Sequence, residues 1–172
     1  MATYKLIAST TLSSNGNISF TSIPSTYTDL VIRMTAQGSA SGLNNDTFKL
    51  TFNASSAANY KYSSLFGNTS TVSATNSTGQ TALVFKQIGA AGSGRYGIAE
   101  IYISNYAAST AYKSMVVDAV ALDASNTVNF NILAINAGYW NSTSAINQIE
   151  IAPSTGNFVS GSTFSIYGIK NS

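Results

Sequence analysis

The sequence predicts an all-β fold, a jelly-roll-like antiparallel β-sandwich of about ten strands, forming one domain over residues 1–172. Three observations carry this reading. Apolar residues recur at every second position in segment after segment, the period of a strand with one covered face. Clusters of Gly, Asn and Ser separate those segments, and no segment keeps a 3.6-residue apolar repeat for the length of a helix. Polarity comes from Ser, Thr and Asn, over a third of the chain, while charged residues make up only 8% against about a quarter in ordinary domains. That bias would suit a disordered chain, but 11% aromatics and repeated Ile, Val and Thr runs can bury enough surface to fold. The length suits one core and is short for two, and no long repeat or linker divides it.

The elements follow in order. Ile18 and Phe20 flank Ser19. Leu30, Ile32, Met34 and Ala36 share one face, with Val31, Arg33 and Thr35 on the other. Phe48, Leu50 and Phe52 alternate with Lys49 and Thr51. Residues 53–59 and 67–80 read as loops. The continuous apolar runs 82–85 and 115–122 have the pattern of strands covered on both faces, and the Val-rich content of the second favours strand over helix. Residues 89–94, rich in Gly, read as a flexible connector. Ala99, Ile101 and Ile103 face one way, Glu100 and Tyr102 the other, and Val128, Phe130 and Ile132 alternate with Asn129 and Asn131.

Two closing strands, 146–151 and 162–169, are joined by a turn built from Pro153, Gly156, Asn157 and Gly161. In the last strand Phe164, Ile166 and Gly168 alternate with Ser165, Tyr167 and Ile169. Both faces carry apolar groups, so this strand is expected inside the sandwich, with Gly168 where a larger side chain has no room. About ten strands, and no Cys…Trp…Cys spacing, favour a jelly roll over an immunoglobulin-like sandwich.

The segments Gly138-Tyr139-Trp140-Asn141-Ser142-Thr143-Ser144-Ala145-Ile146-Asn147 and Gly156 to Lys170 resemble the C-terminal part of a family of tailed-bacteriophage virion proteins. The likeness continues in Leu6-Ile7-Ala8-Ser9, from Ile18 to Leu30, and in Ile103-Ser104-Asn105-Tyr106-Ala107, and is weakest from Ala36 to Gly97. The resemblance implies a structural virion protein displayed on the particle surface as a capsid decoration, head fibre or tail-appendage subunit, in contact with other capsid or tail proteins.

Composition narrows the chemistry. The eight basic residues are scattered with no two adjacent, a poor match to nucleic acid, whose phosphates need several cations together. No apolar stretch reaches the ~20 residues of a membrane span, and the start, Met1-Ala2-Thr3-Tyr4-Lys5, lacks the charged and apolar blocks of a signal peptide. Synthesis in a cytoplasm without export is therefore expected, and the resemblance implies a bacterial host and residence in the virion. Six Asn-x-Ser/Thr triplets are assigned no glycans, since this composition produces them by chance. The chain has no Cys and no His, which removes disulfides, thiolate chemistry and the usual general base. The Gly89–Gly94 run lacks the Gly-Lys-Ser/Thr ending of a phosphate loop. No catalytic residue, metal ligand or cofactor is expected. Glu100 and Glu150 form the single carboxylate pair worth testing for glycosidase geometry, against the plainer reading of solvated strand carboxylates. Asn44-Asn45-Asp46 is a partial calcium pattern that is also a plain turn sequence.

Aromatic residues hold the remaining functional potential. Tyr139, Trp140 and Asn141 form the densest cluster of rings and amides, suited to stacking on a sugar while hydrogen bonding its hydroxyls. Tyr and Trp also pack well in strands. The alternative to a structural virion subunit is thus a glycan-binding receptor-recognition module of a tail fibre, touching a host surface glycan through these residues. Low charge, exposed sheet edges and amphipathic aromatics predict a homo-oligomer, a trimer in particular.

Overall fold

The computed structural model describes residues 3–41, 45–67, 71–89, 94–122 and 131–170. Among them are twelve strands and no helix: β1 (Thr3–Thr11), β2 (Ile18–Phe20), β3 (Asp29–Ala36), β4 (Asn45–Phe52), β5 (Tyr60–Gly67), β6 (Val72–Gln80), β7 (Leu83–Gly89), β8 (Gly97–Ile103), β9 (Lys113–Leu122), β10 (Asn131–Trp140), β11 (Ile149–Pro153) and β12 (Thr163–Lys170). They form an eight-stranded sheet in the order β1-β12-β3-β8-β9-β10-β5-β6 and a four-stranded sheet in the order β2-β11-β4-β7. The strand pairs are antiparallel, and the two sheets pack as a β-sandwich.

Four pairings are nested along the chain. β1 pairs with β12, β2 with β11, β3 with β8 and β4 with β7, each pair enclosed in sequence by the one before. This is the order of a long hairpin rolled over on itself. The other four strands extend the large sheet beyond β8. The hairpin β5–β6 enters between β4 and β7, and β9 and β10 enter between β8 and β11.

Period-two alternation decides which side chains meet. The inward set Leu30, Ile32, Met34 and Ala36 of β3 and the set Phe48, Leu50 and Phe52 of β4 are buried, joined by Ile101, Ile103, Val117, Ile149 and Ile151. Completely burying such a side chain stabilises by about 1.5–3 kcal/mol, so these rows hold the layers together. Asn136 adds a polar stitch between the sheets. It is fully buried on the inner face of β10, its Oδ1 accepts from the Lys86 amide of edge strand β7 (3.2 Å), and its Nδ2 donates to Val117 O (3.3 Å).

β12 lies between β1 and β3 with Phe164 and Ile166 completely buried. A Cβ on Gly168 would come within 2.3 Å of the Tyr27 ring, so that ring occupies the space a side chain would need. The turn before β12 uses Gly156 and Gly161 at φ 72° and 89°, a region glycine enters without steric cost.

Three expectations need correction. Residues 72–80 form strand β6 rather than a loop. The run 115–122 is covered on one face only, since Val116 is 48% exposed. Asp46 lies in a strand rather than a turn. The segment 53–59 is a loop as read. The expected alternation at Val128 and Phe130, most of the 89–94 connector, and Asn44 lie outside the described residues.

Candidate functional site

The three residues expected to form a glycan contact are parted by the pleat of β10. Trp140 turns inward and is only 3% exposed. Its ring stacks on Tyr60 (6.1 Å between centroids) and tilts against Phe52 (5.5 Å), and its Nε1 donates to Asn59 Oδ1 (3.1 Å). A ring so packed offers no face to a surface ligand, which corrects that expectation. Asn141 is exposed, with its amide bonded to Asn59 O (2.8 Å). Tyr139 points to the opposite, outer face of the large sheet and is half-buried.

On that outer face Tyr139 meets two residues the sequence reading did not single out. Tyr112, 59% exposed, lies with its ring centroid 6.3 Å away at an interplanar angle of 35°. Lys61 Nζ stands 5.5 Å over the Tyr139 ring. The register places Lys61 opposite Tyr139, Ser63 opposite Ala137, and Asn76 opposite Ser63. A shallow trough of about 440 Å³ results, running from Tyr139 and Lys61 over Ala137 and Ser63 to Asn76 and Thr78. Small side chains on the floor leave the depression open.

Loops at this end of the sandwich are pinned from below by buried polar groups. Lys113 is fully buried, and its ammonium donates to the carbonyls of Ala108 (2.6 Å), Ala111 (2.6 Å) and Thr143 (3.2 Å). Burial holds its pKa below the usual lysine value. Asn53 Oδ1 accepts from the amides of Asn147 and Gln148, and its Nδ2 donates to Ala145 O. The Tyr106 hydroxyl donates to Pro24 O. Tyr112 therefore stands directly before a strand anchored by Lys113.

A second feature of the outer face is apolar. Leu65, Ile98, Val116, Leu133 and Ile135 are each 48–61% exposed. Register sets Ile98, Val120 and Leu133 in one cross-strand row and Ile135 beside Leu65 in the next. The same face carries a short ion pair, Arg33 Nε to Glu100 Oε2 at 2.7 Å, with Arg33 flanked by the rings of Tyr4 and Tyr167.

Glu100 and Glu150 do not face each other. Glu100 is on the outer face of the large sheet, ion-paired to Arg33. Glu150 is on the outside of the small sheet, accepting from Gln148 Nε2 (3.1 Å). The sandwich lies between them, so they form no glycosidase pair. Asp29 is buried and accepts from the Tyr102 hydroxyl (2.7 Å) and the Asn105 amide (2.8 Å). That bond to a carboxylate pushes the Tyr102 phenol up to about 12. Asp46 is buried, with Oδ1 accepting from the Thr47 amide and Oδ2 without a hydrogen-bond partner among the described residues. Burial raises its pKa. Among the described residues no three His, Cys, Asp or Glu gather into a metal-binding group, and no helix is long and apolar enough to cross a membrane.

No protein-family model, curated protein or solved structure compared with this chain matches it. The functional reading therefore rests on the residues and their geometry.

Proposed function

We propose that this chain is a non-enzymatic structural protein of a bacteriophage particle, a self-associating sandwich on the virion surface serving as capsid decoration, fibre or tail-appendage subunit. The observation that carries it is the apolar outer face formed by Leu65, Ile98, Val116, Leu133 and Ile135. Contiguous exposed apolar side chains on a sheet mark an interaction surface, and a flat, two-signed, sparsely charged face suits a second copy of itself. The free edge of β6 points the same way. It has no Lys, Arg or Pro to prevent strand pairing.

The nested pairing supports reading the sandwich as a jelly roll with an extended sheet, an architecture used by capsid and lectin domains. A fold alone assigns no function. The separated carboxylates and the lack of His and Cys support the non-enzymatic part of the reading.

The direct test is mass spectrometry and immunogold labelling of purified particles. A stoichiometric, surface-labelled component is expected, and a chain found only in the soluble lysate would overturn the placement. Sedimentation of the purified chain tests self-association, with a trimer as the expected stoichiometry. A monomer at micromolar concentration would overturn that part.

A further inference from the structure

We infer that the trough lined by Tyr139, Lys61, Ser63, Asn76 and Thr78, with Tyr112 packed beside Tyr139 at its end, is a saccharide-binding site whose favoured ligand is a short oligosaccharide bearing a carboxylate. This goes beyond the structural role and does not depend on where the chain resides. It rests on three features that meet in one place.

The first is an exposed aromatic platform. The Tyr112 and Tyr139 rings are tilted by 35° with centroids 6.3 Å apart, and Tyr112 spends 59% of its surface on solvent. A sugar ring presents an apolar C–H face, and aromatic side chains combine apolar area with a polar tip. The anchored Lys113 next to Tyr112 fixes the backbone at the platform's base through three carbonyls.

The second feature is the polar lining. Ser63, Asn76 and Thr78 supply hydroxyl and amide groups along the trough, with Ala137 as an open floor. Hydroxyls both donate and accept, and an amide offers both kinds of group side by side, the complement of a polyhydroxylated ligand. Amphipathic lining of this kind, apolar on one wall with a few convergent polar groups, is what small-ligand sites share.

The third feature is the charge. Lys61 is the one titratable group besides the tyrosines in the trough lining, and no carboxylate lies among those residues. Its ammonium, 5.5 Å over the Tyr139 ring, stands where a carboxylate substituent on a stacked sugar would meet it. Stacking rings with a cation also suit single-stranded nucleic acid, but backbone phosphates call for several cations, and this trough has one. The aromatic end of the trough stands apart from the row of Ile98, Val120 and Leu133, since Leu133 and Tyr139 are six residues apart on β10, roughly 20 Å at the rise of a strand. The floor of the trough, Ala137 and Ser63, adjoins Val116, Ile135 and Leu65.

The test is an amide-resolved NMR titration of the full chain with trigalacturonate and with its fully methyl-esterified counterpart, which keeps the rings and removes the charge. Shifts are expected at Tyr112 and in the facing parts of β10, β5 and β6, with the acid bound more tightly. Tyr112→Ala and Tyr139→Ala should each weaken binding about tenfold, or about 1.4 kcal/mol, with unchanged spectra elsewhere. Lys61→Gln should abolish the preference for the acid over the ester. No shift at millimolar trisaccharide, shifts centred outside the trough, or parent affinity in the Tyr112→Ala, Tyr139→Ala double variant would each overturn the site. Equal affinity of the parent chain for acid and ester would overturn the carboxylate preference. Tighter, salt-sensitive binding of a thymidine oligonucleotide at the same residues would overturn the saccharide assignment.

Discussion

The eight-stranded sheet has two halves that share a backbone ladder and little else. In the nested half, β12 lies between β1 and β3 and completely buries Phe164 and Ile166. In the appended half, β6 hangs at the far edge with nearly every residue exposed. The two edges differ as well. β1 carries Lys5 and a register shift between Leu6 and Ala8, both devices that discourage a further strand. β6 has neither a charge nor a proline. The difference teaches that the nested strands supply cohesion and the appended strands supply surface, and both the apolar rows and the trough lie mainly on the appended half.

The most damaging way to break this comparison is to remove β12. A chain ending at Gly161 loses Phe164, Ile166 and Ile169, each worth about 1.5–3 kcal/mol when buried, together with the pairing of both β1 and β3. The sum approaches the ~5–15 kcal/mol of a whole domain, so circular dichroism should show an unfolded chain. A soluble product with an unchanged melting temperature would mean that the nested half is not the source of cohesion.

Trp140→Ala comes next. It empties a ring-filled space between Phe52 and Tyr60 and leaves the Asn59 amide without its donor, for an expected loss of about 3–5 kcal/mol. Denaturant unfolding measures it, and a loss under 1 kcal/mol would place Trp140 at the surface after all. Gly168→Ala should cost about 1–3 kcal/mol through overpacking against Tyr27. That loss would appear without any change in the trough.

Asp46 sharpens the comparison through pH. Burial raises its pKa above the ordinary value of 3.8, so the folded state holds the proton more firmly than the unfolded state. Between that value and the raised one the folded chain binds more protons, and stability falls as pH rises. Asp46→Asn removes this dependence and keeps an acceptor for the Thr47 amide. Its stability relative to the parent chain should therefore improve as pH is raised from about 3.8 toward neutrality. Thermal melts across that range test it, and a relative stability that declined with rising pH would refute the sign.

The smallest effect on stability belongs to the appended edge. Ala74→Lys, on the exposed outer side of β6 opposite Leu65, should alter stability by no more than about 0.5 kcal/mol. It should nonetheless shift sedimentation toward monomer. An unchanged assembly would show that copies do not meet at this edge.

Legibility in the sequence followed contrast. Leu30, Ile32 and Met34, or Phe48, Leu50 and Phe52, stand against polar neighbours, and those strands could be read directly. In β6 the alternation is between one small polar residue and another, so no apolar period marks it, and Asn76 and Thr78 of the trough were hidden with it. The Thr and Val content of 71–78 was the one available signal. Tyr139 and Trp140 failed for the opposite reason. Two adjacent aromatics show that opposite faces of a strand both carry rings, without showing which face is covered. Tyr112 carried no local pattern, because its partner Tyr139 lies on another strand. Asn136 reads as a surface residue until Lys86 and Val117 are placed around it.

The sequence by itself determined a neutral, helix-poor chain rich in strand alternation, the chemistry missing with His and Cys, and the residues that share a side of each strand. Tertiary structure decided which side faces the other sheet, where β6 belongs, that Trp140 is core while Tyr139 is surface, and that Glu100 and Glu150 stand on opposite exteriors. The physical reason is the range of the contacts. A period of two is local and says that two faces differ, but pairings such as Ser9 with Ser165, 156 positions apart, determine what covers each face.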